Sequence, residues 1–128
     1  MKKILVVDDE ENIRLLYEEE LKEEGYEVIT ASNGREGLES VKAYNPDLVV
    51  LDIRMPEMDG IEFLRTIRET HRNLPIILST AYGEYKQQDF SVWLSNGYIV
   101  KSADLTALKQ KIKELLEERE EKKLESPR

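Results

Sequence analysis

Short apolar runs alternate with amphipathic stretches along this chain. Ile4-Leu5-Val6-Val7 and Leu48-Val49-Val50-Leu51 are unbroken and rich in β-branched residues, the pattern of strands buried on both faces. Shorter runs at Glu27 to Thr30, at Ile76 to Thr80 behind Pro75, and at Tyr98 to Lys101 behind Asn96-Gly97 predict three more strands. Between them, apolar residues recur at helical spacing. Ile13, Leu16, Tyr17 and Leu21 mark a helix from Asn12 to Glu24 that Gly25 stops. Ser32 is the expected N-cap of a second helix, which carries Leu38 and Val41 and ends near Tyr44 before Asn45-Pro46. Ile61, Leu64 and Ile67 mark a third, from Gly60 to about Thr70. A weaker one from Glu84 to about Ser95 carries Phe90, Trp93 and Leu94, which read as packing residues. Asp104 is the expected cap of the last, with Leu105, Leu108, Ile112, Leu115 and Leu116.

Strictly alternating strands and helices predict an α/β fold, a doubly wound parallel sheet with helices on both faces. Right-handed crossovers leave few topologies, and the flavodoxin-like order 2-1-3-4-5 suits five units. One domain over residues 1–119 is expected, with 120–128 as a charged, frayed helix end. Glu118 and Lys122 could pair there at i, i+4.

That topology gives the acids a meaning. Asp8-Asp9 follow the first strand and Asp52 ends the third, the two strands that flank the switch point where such sheets bind ligands. Three carboxylates in one crevice repel, and either a raised pKa or a hard cation relieves them. Mg²⁺ suits carboxylate oxygens and leaves room for phosphate. Lys101 at the end of strand 5 can keep Asp52 ionised, and hence nucleophilic, and can pair with a phosphoryl oxygen. Thr80, ending strand 4, can donate to another. Phosphoryl transfer asks mainly for positioning and charge neutralisation, and a carboxylate can carry the covalent intermediate.

Composition narrows the field. The 128 residues contain no cysteine, which excludes disulfide, zinc-thiolate and thiol chemistry. The formal net charge of −8 argues against direct binding to nucleic acid or to an anionic membrane. No apolar run approaches a membrane span, and the start of the chain is unlike a signal peptide, so a cytoplasmic protein is expected. The lone histidine, His71, sits in a polar stretch and reads as a surface residue rather than a phosphoryl donor.

Asp8-Asp9, Asp52, the loop Pro56-Glu57-Met58-Asp59-Gly60, Ser79-Thr80-Ala81 and Tyr98-Ile99-Val100-Lys101 together resemble the receiver domain of two-component response regulators, over about residues 2–118. The resemblance implies that Asp52 takes a phosphoryl group from a phosphohistidine on a sensor histidine kinase or a histidine phosphotransfer protein. It implies Mg²⁺ on Asp8, Asp9, Asp52 and the backbone carbonyl of Arg54, with Asp8 acting through water. It makes Thr80 and Tyr98 the switch pair and gives Arg54 and Tyr82 control over the lifetime of the phosphoryl group. Both are large, so slow self-dephosphorylation is expected, as in the single-domain sporulation-type relay regulators that also carry Thr-Ala-Tyr-Gly (here Thr80 to Gly83). A signalling phosphoacceptor rather than a turnover enzyme is implied, as a monomer or weak dimer, with the output face on the 84–95 helix, strand 5 and the last helix. The family usually has proline after the lysine; Ser102 stands there instead, leaving the geometry of 101–104 open. On the first helix, Ile13 and Leu16 are read either as core or as a patch where a four-helix phosphotransfer partner docks.

Three rival readings are weaker. A flavin- or nucleotide-binding module needs a phosphate-cradling loop after strand 1, where Asp8-Asp9-Glu10-Glu11 would repel it. An aspartyl phosphatase needs a general acid, for which only Glu57 offers itself, and usually a cap. A receiver that binds partners without phosphorylation has no use for the full acid set.

Overall fold

The apolar runs pair into one sheet. The computed structural model describes residues 1–52, 60–80, 96–102 and 104–125, with side chains described at all of these but 60, 61, 80 and 123–125. The strands are β1 (Lys3–Val7), β2 (Glu27–Ala31), β3 (Leu48–Asp52), β4 (Ile76–Thr80) and β5 (Gly97–Val100). The helices among the described residues are α1 (Glu11–Glu23), α2 (Gly34–Tyr44), α3 (Gly60–Thr70) and α4 (Thr106–Glu125). All four strand pairings are parallel, in the order β2-β1-β3-β4-β5. This is the expected flavodoxin-like arrangement. The helix expected over 84–95 lies outside the described residues.

Alternation along each strand divides the core in two. Leu5, Val7, Val49, Leu51, Ile76 and Leu78 face one way, against Phe63, Leu64 and Ile67 of α3 and Val41 of α2. Ile4, Val6, Leu48, Val50 and Ile77 face the other way, against Tyr17 and Leu21 of α1 and Leu108 and Ile112 of α4. Every residue of β3 is buried, as a central strand covered on both faces requires.

Gly37 shows how closely α2 and α3 approach. A Cβ there would lie 2.8 Å from the Phe63 ring and 3.1 Å from a Val7 methyl. Crowding of that kind costs about 1–3 kcal/mol, against a gain of up to about 1 kcal/mol in helix propensity. Gly37→Ala should therefore lower the melting temperature by a few degrees in a thermal scan. The loss should shrink when measured in a Phe63→Leu background, where the ring edge is gone; an equal loss in both backgrounds would refute the contact.

Several boundaries differ from the expectation for local reasons. Asn33, not Ser32, caps α2: its backbone is extended and its side chain accepts from the Glu36 N–H at 2.9 Å. Ser32 instead donates its N–H and its hydroxyl to the Glu36 carboxylate, holding that carboxyl below its usual range. Lys101 lies just past β5 rather than on it, because pairing with β4 runs out at Thr80 and Val100. Asp104 does serve the start of α4, accepting from both the N–H and the hydroxyl of Thr106. The charged stretch after residue 119 continues α4 as far as Glu125. Its Lys2–Glu120 pair ties that extension to the residue just before β1. No helix among the described residues is long and apolar enough to cross a membrane.

Candidate functional site

The carboxyl ends of β1, β3 and β5 bring together Asp8, Asp52 and Lys101. Parallel register sets their heights: Val7 lies beside Leu51, Asp52 beside Ser79, and Thr80 beside Val100. Asp8 is 2% exposed and Asp52 5%. Each is a charge taken into the sheet end, which is unfavourable unless the charge is paired or coordinated.

Lys101 supplies the pairing. Its ammonium lies 3.0 Å from Asp8 Oδ2, 3.4 Å from Asp52 Oδ2 and 3.0 Å from Glu10 Oε1. Burial pulls this ammonium down, but the hydrogen bonds to Asp8 and Glu10 and the charges of Asp8 and Asp52 overcome that and hold it above the ordinary lysine range. It is protonated at any physiological pH. Asp8 goes the other way: burial pushes its carboxyl up, and neither the Glu10 N–H, donating to Oδ1 at 2.9 Å, nor Lys101 fully offsets this.

Asp9 is exposed. Carboxylate oxygens of Asp8, Asp9 and Glu10 lie within 4.8 Å of one another, a set that could hold a cation. Asp52 is joined to Asp8 through Lys101 and is not a member of that group. A donor set made only of carboxylate oxygens suits a hard ion such as Mg²⁺. Three carboxylates face the single Lys101 ammonium, which leaves the site short of positive charge. The residues present therefore fit the expected metal.

Other expectations resolve less fully. Thr80 ends β4 in the expected place, its side chain outside the described atoms. Arg54 and Tyr82 lie outside the described residues altogether. Tyr98 is half-buried on β5, packed against the core that α2 and α3 cover. Ile13 and Leu16 are half-buried against the core, because α1 turns Tyr17 and Leu21 fully inward and draws their neighbours with them. The exposed apolar side chain of α1 is Leu15, 56% exposed. The Lys101–Ser102 peptide is trans, and the Ser102 hydroxyl accepts from the Asp104 N–H at 3.1 Å. His71 follows α3, with Thr70 bonded to its ring, away from the acids.

Three residues were not singled out beforehand. Glu10 grips Lys101. Arg14 donates to the Asp8 carbonyl at 2.7 Å, anchoring α1 to the end of β1. Tyr17, buried on α1, places its hydroxyl 3.5 Å from Ser79 Oγ, beside the Asp52 strand end. Burial raises that phenol, Ser79 opposes the shift, and the charges of Asp8, Lys101 and Asp52 all reach it. A tyrosine at a stripe position signals core, and nothing in the spacing showed where its hydroxyl would end.

Comparisons with known proteins agree with this geometry. The family model described as the response regulator receiver domain matches residues 4–113. The chain is 46% identical over 82 residues to sporulation initiation phosphotransferase F of Bacillus subtilis, covering 64% of this chain and 66% of that protein. It is 48% identical over 83 residues to the alkaline phosphatase synthesis transcriptional regulatory protein PhoP of the same organism, covering 65% of this chain. The match takes in only 35% of that longer protein. Among solved structures, the response regulator TrrA of Thermotoga maritima in complex with Mg²⁺–BeF is 51% identical, with a TM-score of 0.86 over 90% of this chain and 99% of TrrA. TrrA in complex with the histidine kinase ThkA gives a TM-score of 0.84 over 91% and 99%.

Proposed function

Because this chain belongs to the response regulator receiver domain family, we propose that Asp52 is its phosphoryl acceptor and that the donor is a phosphohistidine on a sensor histidine kinase or a histidine phosphotransfer protein. The observation that carries the reading is the Lys101 ammonium, 3.4 Å from Asp52 and 3.0 Å from Asp8, at the switch point of the sheet. The TrrA–ThkA complex supports a kinase as partner, and the TrrA complex with Mg²⁺–BeF supports Mg²⁺ as the metal.

Asp52 attacks phosphorus as a carboxylate. A P–O bond forms as the P–N bond of the phosphohistidine breaks, and the imidazole leaves with the electron pair. Lys101 keeps Asp52 ionised beforehand and takes one phosphoryl oxygen afterwards. The Thr80 hydroxyl takes another, and Tyr98 follows it inward, changing the surface that a target or the next relay protein reads. Asp8, Asp9 and Asp52, with the Arg54 carbonyl, would hold Mg²⁺. When bound, the ion neutralises charge that develops on the phosphoryl oxygens.

The test is labelling by acetyl phosphate with Mg²⁺, native chain against Asp52→Ala. No label on the native chain, or equal label on both, would end the reading. The resemblance assigns control of the phosphoryl lifetime to Arg54 and Tyr82, both large, so the acyl phosphate should also decay slowly in purified protein; loss within seconds of donor removal would refute that part.

A further inference from the structure

An ammonium has three N–H donors, and those of Lys101 already face three carboxylates: Asp8 and Glu10 at 3.0 Å each and Asp52 at 3.4 Å. A phosphoryl oxygen on Asp52 can gain Lys101 only if one of these lets go. Asp8 is held, its side chain 2% exposed and its other oxygen tied to the Glu10 N–H. Asp52 is the reacting group. Glu10 differs from both, with a side chain 60% exposed. It occupies the N-cap position of α1 yet makes no capping hydrogen bond with its side chain. Water can replace Lys101 at Glu10 at little cost, as it cannot at Asp8.

From this geometry we infer that Glu10 is a positioning residue that occupies Lys101 in the resting chain and must release it before Lys101 can pair with the phosphoryl group. The inference rests on Asp52 being the phosphoryl acceptor. Glu10 acts through Lys101 and does not itself touch the phosphoryl group. It lowers the fraction of molecules whose lysine is ready for an anionic donor.

The experiment compares the native chain, Glu10→Gln and Glu10→Asp in acetyl phosphate labelling at saturating Mg²⁺. Glu10→Gln should label roughly three- to five-fold faster at subsaturating donor, the scale of one partly exposed ion pair. Glu10→Asp keeps the charge but is one methylene shorter, so it should lose its reach to Lys101 and behave as Glu10→Gln does. A second readout needs neither metal nor donor: proton exchange at the Lys101 ammonium, followed by nitrogen NMR, should quicken in both variants. A Glu10→Gln chain that labels no faster than native overturns the inference. So does a Glu10→Asp chain that labels at the native rate, because charge alone would then explain the effect. Failure of the underlying assignment looks different: the native chain takes no label, or Asp52→Ala takes as much. Glu10 lies outside both cores, so neither variant puts folding at risk.

Discussion

Asp52→Ala is expected to take up no phosphoryl label from acetyl phosphate, and to melt no lower than the native chain when Mg²⁺ is absent. The first result follows from chemistry: the other buried strand-end carboxylate, Asp8, has its second oxygen tied to the Glu10 N–H, and the proposed reading gives it to the metal rather than to the phosphoryl group. The second follows from electrostatics. Asp52 is 5% exposed and shares one ammonium with Asp8 and Glu10. Three carboxylates against one ammonium are more negative charge than the site can neutralise, and burial, which pushes the Asp8 carboxyl up, adds to the cost of keeping them ionised. Removing one carboxylate relieves that excess and still leaves Lys101 paired with two acids. Stabilisation by added Mg²⁺ should shrink in the variant, because a ligand stabilises only as far as it prefers the folded site. Mass spectrometry of the intact chain reads the label and calorimetry reads the rest. A variant that labels as the native chain does would place the acceptor elsewhere, and one that melts well below native would mean that Asp52 is structural.

Lys101→Met should do the opposite to stability and nearly as much to function. It keeps the length of the side chain and removes the charge. Labelling should fall by about 10²–10³-fold, the usual effect of deleting one preorganised donor to a transferring group. Without Mg²⁺ the fold should also lose a few kcal/mol, because breaking a buried pair strands its partners. Asp8 would then rise further above its ordinary value of 3.8. The folded chain would bind more protons than the unfolded one between the ordinary and the raised value, so stability falls as pH rises through that window. Melting temperature should therefore drop more steeply with rising pH in Lys101→Met than in the native chain, and Mg²⁺ should flatten the difference. Labelling at the native rate would remove Lys101 from the mechanism.

How far the sequence disclosed this site depends on which physical signal each part left behind. The strands were legible because β3 is buried along its whole length, and a strand covered on both faces must be apolar throughout. Once five such runs alternate with helices, topology alone brings Asp8 and Asp52 to one crevice. The helix ends were less legible. Ser32 and Asn33 are both good caps, and only the extended backbone at Asn33 decides between them. The Glu10–Lys101 pair spans 91 residues and joins a helix start to a strand end; nothing in spacing or propensity marks it. Ile13 and Leu16 fit the stripe of α1 as core and as patch equally well, and the depth of Tyr17 and Leu21 settles their half-buried position.

Tyr17 was placed by the same packing, and its position has a practical result. Its phenol lies under the sheet end, within reach of the charges on Asp8, Lys101 and Asp52. Any event that alters those charges alters the field across the ring and so its near-ultraviolet absorption. Metal uptake or phosphorylation should therefore be visible in that absorption without attaching a dye.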